Sequence, residues 1–355
     1  MIQNRPDKQK ATLLMIYTGG TIGMREDPLD NTLKPFDFSQ ILDEVPELGK
    51  FAYTIDSYTF EPLIDSSDVD PAMWQRLASL IGEKYDSYDG FIVLHGTDTM
   101  AYSASTLSFM LENLGKPVIF TGSQLPIGRP RTDGKENLIS AVEIASARRE
   151  DGSAAVPEVT VCFDSSLLRG NRTTKINSED FNAFASPCCP PLAQAGINIR
   201  YNDALIRHCA PGAPFKVHTR LDTRVSVLKM HPGITPQVVR DILLGSRTRA
   251  VIIETYGSGN SLSAKWFLDI VQESAQAGKI LVNVSQCLYG SVNMSLYATG
   301  KKLLDAGVIS GYDSTVESAL GKLFHLMGMH DDNQTVKQLF ETDLRGEISR
   351  QSIVV

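Results

Sequence analysis

The stretch G-F-I-V-L-H-G-T-D-T-M-A-Y-S-A-S-T-L-S-F-M-L-E-N-L-G-K-P-V-I-F-T, residues 90–121, decides the fold class. It opens with the apolar run Gly90–His95 and closes with a second such run, Pro117–Thr121, and both are typical of buried strands. The residues between them, from about 99 to 114, predict a helix that ends ahead of a Gly-Lys-Pro turn. A strand, a helix and a second strand in this order indicate a parallel sheet.

The same alternation continues on both sides of this unit. Apolar runs at Ala11–Tyr17 and Val159–Phe163 predict further strands, and helices are predicted at about 70–85 and 134–149. Later in the chain, strands are predicted at 225–229, 250–255 and 280–285, with helices at 236–244, 263–277 and 314–329. This pattern predicts two doubly wound α/β domains, a larger N-terminal one with a parallel-type sheet and a smaller, flavodoxin-like C-terminal one.

The boundary between the two domains is expected at about residues 208–223. A chain of 355 residues favours two domains over one. The stretch C-A-P-G-A-P at 209–214 has two prolines and no periodic pattern, which indicates a linker. The predicted domains are therefore residues 1–207 and 224–355.

Composition narrows the class of protein. The formal net charge of -7 argues against nucleic acid or an anionic membrane as a partner, because both require clustered positive charge. No apolar run is long enough to span a bilayer, and the polar N-terminus does not resemble a secretory signal, so we expect a cytoplasmic protein. The five cysteines and six histidines show no metal-ligand spacing, which predicts reduced thiols, no metal and no cofactor.

Polar clusters follow several of the predicted strands, where open parallel sheets bind their ligands. The glycine-rich segment Thr18–Gly23 matches neither a dinucleotide fingerprint nor a P-loop, and it presents the hydroxyl of Thr21. In His95–Thr99, Thr97 and Asp98 place a hydroxyl beside a carboxylate. The alternatives are an ordinary strand-to-helix turn for the first segment and simple helix capping for the second.

Two further clusters are weaker by themselves. Asp65-Ser66-Ser67-Asp68 forms a turn whose hydroxyls and N–H groups suit a carboxylate ligand, although an ordinary Asx or Ser turn has the same sequence. In 169–175, a loop expected after the strand Val159–Phe163, Lys175 follows a threonine and could act as a base if burial lowered its pKa. The alternative is a solvated basic loop.

Taken together, these segments resemble the bacterial asparaginase family, in its cytoplasmic type I branch. The matching strings are Y-T-G-G-T-I-G at 17–23, D-S-S-D at 65–68, H-G-T-D-T-M-A-Y at 95–102, T-G-S-Q at 121–124, R-G-N-R-T-T-K at 169–175 and Y-G-S-G-N at 256–260. The resemblance extends over nearly the whole chain.

The resemblance implies hydrolysis of L-asparagine to L-aspartate and ammonia without a cofactor. Thr21 resembles the nucleophile that forms an acyl-enzyme, and Thr97 with Asp98 and Lys175 resembles the second catalytic triad. The residues that resemble the substrate-binding set are Asp65, Ser66, Ser67, Thr97, Asp98, Ser123 and Asn260. Backbone N–H groups near Thr97 and Ser123 are the candidates for the oxyanion hole. Asn260 matches an asparagine that reaches across to a neighbouring subunit, and the expected assembly is a homotetramer, a dimer of dimers.

The sequence departs from the family pattern at two places. Residues 24–37 contain no tyrosine, whereas many relatives have one that contacts the nucleophile. Some type I members have a second, allosteric asparagine site with an arginine just before Y-G-x-G-N, where this chain has Glu254. Thr174 and Cys287, also associated with that site, are present. Because glutamate reverses the local charge, weak or absent activation by asparagine is predicted.

Three other functions are compatible with the sequence. A glutaminase-asparaginase of broader specificity would use the same chemistry on a side chain one methylene longer. A protein of the tRNA-dependent amidotransferases shares this fold but carries an extra N-terminal domain. A non-catalytic asparagine-binding sensor belongs to a different class, and the presence of all four candidate catalytic residues argues against it.

Overall fold

The computed structural model describes residues 11–26, 33–35, 44–50 and 53–349. Its strands are β1 (Ala11–Tyr17), β2 (Met24–Glu26), β3 (Leu33–Pro35), β4 (Tyr53–Thr59), β5 (Gly90–Leu94), β6 (Leu111–Glu112), β7 (Val118–Thr121), β8 (Val159–Phe163), β9 (Ser166–Arg169), β10 (Thr174–Lys175), β11 (Phe184–Ala185), β12 (Ala193–Gln194), β13 (Arg200–Tyr201), β14 (Lys216–Val217), β15 (Val225–Lys229), β16 (Ala250–Thr255), β17 (Ile280–Ser285) and β18 (Ile309–Ser310). The helices are α1 (Pro71–Lys84), α2 (Met100–Met110), α3 (Gly134–Ser146), α4 (Pro236–Leu243), α5 (Lys265–Gln276), α6 (Ala298–Asp305), α7 (Val316–Met329) and α8 (Asn333–Phe340).

A mixed sheet of eight strands forms the N-terminal part, in the order β13-β12-β9-β8-β7-β5-β1-β4. Strands β4, β1, β5, β7 and β8 run parallel, so the predicted parallel sheet and its four predicted strands are confirmed. Tyr17 pairs with both Leu94 and Thr59, and Leu94 pairs with Thr121, so these strands end level with one another. The polar loops that follow them therefore begin at one edge.

A strand that was not predicted lies between Val159–Phe163 and the 169–175 segment. Strand β9 intervenes and turns back antiparallel to β8, pairing Thr160 with Arg169. The turn between them is tight, because Asp164 and Ser165 both have positive φ. A short antiparallel return of this kind has no distinct periodicity, and the sequence therefore did not reveal it.

Helix α2 is buried on all sides except at Tyr102. A helix that is apolar all round must be covered all round. One side packs on the sheet and the other on α7, where a Cβ added to Gly321 would lie 3.0 Å from the backbone of Thr106. This helix thus fastens the N-terminal part to the C-terminal part. It ends at Met110 and not near residue 114, because Leu111 pairs with Val217 in β14.

The C-terminal part contains a second, smaller parallel sheet in the order β15-β16-β17-β18. Apolar clusters cover both faces of each sheet, as a doubly wound arrangement requires. The predicted α/β class with two sheets is therefore confirmed. Part of the expected linker, 208–223, is ordered as β14 against β6. None of the helices within the described ranges is long and apolar enough to cross a bilayer.

Candidate active site

Three loops meet at the carboxyl edge of the large sheet. Gly20 has a φ of 96°, and a Cβ placed there would lie 2.5 Å from the backbone nitrogen of Gly96. A Cβ on Gly96 would lie 2.5 Å from Oγ of Ser66. Side chains at either glycine would force the loops apart, so the glycine-rich sequence is what allows the predicted clusters to come together.

Thr21 follows this contact and begins a single turn of 3-10 helix, Thr21–Gly23. The loop before it is fixed, because the Thr18 hydroxyl donates a hydrogen bond to the carbonyl of Leu94 at 2.9 Å. Thr21 itself is partly exposed, and its hydroxyl makes no hydrogen bond within the described part of the chain. Its oxygen is therefore not engaged by another protein group among the described residues. The 24–37 segment, which lacks a tyrosine, lies mostly outside the described residues.

Lys175 joins the second pair of predicted residues. Its Nζ donates to Oγ1 of Thr97 at 2.8 Å and to Oδ1 of Asp98 at 2.7 Å. The lysine lies on β10, where it pairs with Phe184 of β11. The lysine side chain is 20% exposed and the aspartate side chain 65% exposed, so the pair faces the open edge of the sheet. A hydroxyl, an ammonium and a carboxylate are thus linked in one hydrogen-bonded group.

The capping prediction for Thr97 or Asp98 is wrong. The N-cap of α2 is Thr99, and no side chain caps the helix there. The Thr99 hydroxyl instead donates to the carbonyl of Ser66 at 2.6 Å, which ties the second loop to the third. Because capping does not engage them, the side chains of Thr97 and Asp98 are directed to Lys175.

The Asp65-Ser66-Ser67 cluster forms an Asx turn, which was the alternative hypothesis for this segment. Oδ1 of Asp65 accepts hydrogen bonds from the backbone nitrogen of Ser67 at 2.9 Å and from its hydroxyl at 2.8 Å. The bond from the Ser67 backbone, followed by the one from its hydroxyl, lowers the pKa of Asp65. Ser66 is buried against Gly96, while Asp65 and Ser67 remain exposed. The turn is therefore a local structure that still presents a carboxylate at the edge.

Gln124 is a site residue that sequence reasoning quoted but did not assign. The Thr97 hydroxyl donates to Oε1 of Gln124 at 3.3 Å, while its oxygen accepts the bond from Lys175. The turn that carries Gln124 is fixed by Asp133, whose carboxylate accepts from the backbone nitrogens of Gln124 and Leu125 at 3.0–3.2 Å. Ser123 is buried beside it and donates to the carbonyl of Leu125 at 2.5 Å. The position of Gln124 shortly after β7 was the available signal.

His95 supports the site from below. Its Nε2 lies 2.9 Å from the Ser103 hydroxyl, and its Nδ1 lies 2.7 Å from the carbonyl of Gly96. Trp74 donates to the same hydroxyl at 2.8 Å, so Ser103 donates onward to His95 Nε2, and Nδ1 carries the proton. Burial lowers the pKa of His95 to about 4. The ring is a neutral structural element.

Asn260 is not brought to this edge within one chain. It lies in the turn after β16, bridged to Tyr256, and its Oδ1 accepts from the Thr299 hydroxyl at 2.9 Å. Among the described residues, Asn260 makes no hydrogen bond to the Thr21 or Thr97 loops.

Thr174, Glu254 and Cys287 line one separate cavity of about 290 Å³. The Thr174 hydroxyl donates to Oε1 of Glu317 at 2.7 Å, and burial raises the pKa of Glu317. Oε1 of Glu254 lies 3.8 Å from Nζ of Lys229. The three residues that resemble an allosteric set therefore share one enclosure, whose wall carries two glutamates.

The described residues contain no group of three or more His, Cys, Asp or Glu side chains that could hold a metal ion. All five cysteines are free thiols.

Comparison with known proteins identifies the family. The protein-family model described as "Asparaginase, N-terminal" matches residues 12–207. A second family model, "Glutaminase/Asparaginase C-terminal domain", matches residues 224–340. The chain belongs to the asparaginase family. This confirms the resemblance that the sequence motifs indicated.

Individual relatives agree with this assignment. L-asparaginase 1 of Escherichia coli (strain K12) is 44% identical over 349 residues, which cover 96% of this chain and 99% of the relative. The crystal structure of L-asparaginase I from Vibrio cholerae has a TM-score of 0.87 and 41% identity, covering 96% of this chain and 100% of that one. The thermostable L-asparaginase from Thermococcus kodakarensis has a TM-score of 0.85 and 31% identity, covering 95% of this chain and 99% of that one.

Proposed function

We propose that this asparaginase-family protein hydrolyses L-asparagine to L-aspartate and ammonia, with Thr21 as the nucleophile. The observation that supports this most directly is the bonding of Lys175 to both Thr97 and Asp98 at the edge where the Thr21 loop begins. A threonine hydroxyl is a weak nucleophile until neighbouring groups accept its proton. The linked Thr97 and Lys175 supply such a proton path beside an oxygen that no described protein group occupies.

The reaction is a two-step acyl transfer. Oγ1 of Thr21 attacks the side-chain amide carbon, its proton is passed by way of the Thr97 hydroxyl to the amide nitrogen, and the C–N bond breaks to release ammonia. Water then attacks the ester carbon and returns the threonine hydroxyl with L-aspartate. Backbone N–H groups near Thr97 and Ser123 are proposed to stabilise the oxyanion in both steps.

The substrate's amino-acid end is proposed to bind to the turn of 65–67 and to Asp98. Asp65 and Asp98 each use only Oδ1 for hydrogen bonds to described residues. Their Oδ2 atoms remain available for an α-ammonium, while Ser66 and Ser67 offer donors for the α-carboxylate. Asparagine and aspartate differ only at the reacting group, so this end can stay bound through turnover.

We further propose a cytoplasmic homotetramer, a dimer of dimers, in which Asn260 completes the site of a neighbouring subunit. Within its own chain the Asn260 side chain accepts a hydrogen bond from Thr299 and makes none to the described residues of the Thr97 loop, which supports a role between chains. We propose two domains, residues 1–207 and 224–355, joined by a linker at 208–223. Because the net charge is -7, we propose no binding to nucleic acid or membranes. Glu254 and Glu317 in the second cavity support the proposal that asparagine activates the enzyme weakly or not at all.

A glutaminase-asparaginase of broader specificity is the nearest alternative. A pocket discriminates one methylene by only about 1–3 kcal/mol, so the same catalytic groups serve both substrates. A non-catalytic asparagine sensor would bind the amino acid through the same turn without releasing ammonia.

The test is ammonia release from L-asparagine and L-glutamine by the purified protein, Thr21→Ala and Thr97→Val. Thr223→Ala is a matched control, because this threonine lies between the domains and its side chain makes no hydrogen bond to described residues. Release from asparagine that collapses in Thr21→Ala but not in Thr223→Ala supports the proposal. Tight asparagine binding without ammonia release would favour the sensor, and similar rates on both amides would favour the broader enzyme.

A further inference from the structure

Another cavity, of about 250 Å³, lies at the opposite edge of the large sheet from the catalytic residues. Its wall includes Glu158 and Val159, at the start of β8, whereas the proposed active site follows the ends of the strands. Residues at the end of α2 and after it, residues 207–209 and the C-terminal Leu344 and Arg345 also line it. The cavity is therefore separate from the site proposed for asparagine.

The charges on this wall do not cancel. Arg169 forms a buried pair with Glu158 at 2.7 Å, and Arg207 pairs with Asp343 at 2.8 Å. Arg345, the third guanidinium, has no carboxylate within 4.0 Å among the described residues. One positive charge is thus left without a direct counter-ion at the cavity.

Arg345 is also poor in hydrogen bonds. Its Nη1 donates to the carbonyl of Leu344 at 3.0 Å, while its Nε is buried without a partner. Burial lowers the pKa of Arg345, since the charged form loses solvation there, and the more distant carboxylates of Glu112 and Glu347 offset this only in part. A guanidinium removed from water normally gains a carboxylate or phosphate in return, because leaving it unpaired is costly.

The backbone that carries Arg345 is held rigidly. Glu347 is fully buried and accepts hydrogen bonds from the backbone nitrogens of Leu344 and Arg345 at 3.0 and 2.6 Å. Asn171, also fully buried, donates to the carbonyl of Arg345 at 3.1 Å. The backbone from which the guanidinium extends is therefore positioned before any ligand arrives, which favours a preformed site.

The wall also presents the apolar side chains of Leu111, Leu114, Val159 and Leu344, beside the polar residues Ser108, Asn113, Asn171 and His208. We propose that this cavity binds a small organic carboxylate. Its carboxylate oxygens accept hydrogen bonds from the Arg345 guanidinium, and its apolar part packs against the leucine side chains. The planar fork of arginine matches a carboxylate, and the four apolar side chains favour a ligand with a hydrocarbon body over a bare inorganic anion. This inference does not depend on the proposed function.

The experiment is isothermal titration of the full chain with isovalerate, with 3-methyl-1-butanol as the uncharged analogue and inorganic phosphate as the bare anion. The variants are Arg345→Gln and the control Arg224→Gln, an exposed arginine that pairs with Asp222 and does not line the cavity. We expect saturable binding of isovalerate alone, weakened about tenfold or more in Arg345→Gln, since a charged hydrogen bond is lost. Binding in Arg224→Gln should equal that of the unmodified protein.

Three results would overturn the proposal. These are no saturable isovalerate binding, binding that persists in Arg345→Gln, and phosphate binding as tightly as isovalerate, which would mean an adventitious ion only. If Arg345→Gln fails to fold, Cys209→Phe provides the second test, because Cys209 lines the cavity and carries none of its charge. It should abolish isovalerate binding and leave asparagine turnover unchanged, and undiminished isovalerate binding there would contradict the proposal.

Discussion

Two lysine–carboxylate pairs in this chain share the same chemistry and have opposite surroundings. Lys322 and Glu347 are 1% and 0% exposed, and Lys322 also donates to the carbonyls of Phe340 and Thr342 at 2.7 and 2.6 Å. Lys175 and Asp98 are 20% and 65% exposed, and the further bond of the lysine goes to a hydroxyl. The first lysine directs its donors to fixed backbone, whereas the second contacts groups able to exchange protons. Surroundings, more than residue type, separate a structural pair from a proposed catalytic one.

The largest expected effect tests the exposed pair. Lys175→Met should lower kcat for ammonia release by about 10²–10⁴-fold, the range that general acid–base groups contribute. Its free energy of unfolding should change by less than about 1 kcal/mol, because exposed pairs stabilise little. Steady-state kinetics and urea denaturation measure the two quantities. Lys265→Met, which removes an exposed pair with Asp269, is the control and should change neither. A large loss of stability with unchanged kcat in Lys175→Met would mean that this exposed pair is structural and not catalytic.

For the buried pair, Lys322 and Glu347, we expect the opposite result: a loss of stability with little change in kcat. Lys322→Met leaves Glu347 buried without its counter-ion, which costs about 3–5 kcal/mol of stability. Denaturant unfolding should detect this loss, while kcat per folded molecule should remain near that of the unmodified protein. A variant that unfolds normally but loses turnover would show that the comparison between the two lysines is wrong.

His95 sharpens the comparison, because it is buried like Lys322 but lies close to Thr97 in sequence. Its pKa is lowered from 6.5 to about 4 by burial, so between these values the unfolded chain binds a proton that the folded chain does not. Stability present above pH 6.5 should therefore fall by about 3 kcal/mol as the pH drops towards 4. His95→Gln should flatten this dependence in urea titrations at several pH values. Part of the slope should persist, since the pKa of His325 is also lowered, to about 3. An unchanged slope in the variant would contradict the assignment.

The smallest effect concerns a third pair, Glu254 and Lys229, at 3.8 Å. We expect hyperbolic dependence of rate on asparagine, and Glu254→Gln should change kcat by less than about twofold, because a pair this long with an exposed lysine contributes little. Initial rates over a wide asparagine range provide the measurement, with Lys229→Gln as the matched variant. Sigmoidal kinetics in the unmodified chain would show that Glu254 does not prevent activation.

Much of the fold could be predicted, because long apolar runs and strong N-caps leave few alternatives. The helix predicted at about 70–85 is α1, where Asp70 accepts a hydrogen bond from the backbone nitrogen of Met73 and Pro71 is the first residue. The two-residue strands could not be predicted, since β6 and β14 exist only through their pairing with each other. Pairing between distant segments is a property of tertiary structure and has no local periodicity.

The candidate site was predictable to a similar degree. The hydroxyl and carboxylate residues were identified from their positions after strands, and the structure brings the 18–23, 65–68 and 95–99 loops together. The hydrogen-bond partners of these residues were harder to predict. The sequence could not show that Thr99 bonds to Ser66, or that Gln124 bonds to Thr97. Such contacts depend on side-chain directions set by separate loops.

The burial of α2 has a consequence for producing the N-terminal and C-terminal parts of this chain as separate fragments. The helix begins directly after the Thr97 loop, and its far side is covered by α7, which follows some two hundred residues later in sequence. An N-terminal fragment ending near residue 207 would therefore expose an apolar helix surface to water and lose the packing that anchors the loop. Such a fragment should aggregate, and mixing it with a separately produced C-terminal fragment should restore solubility by covering that surface.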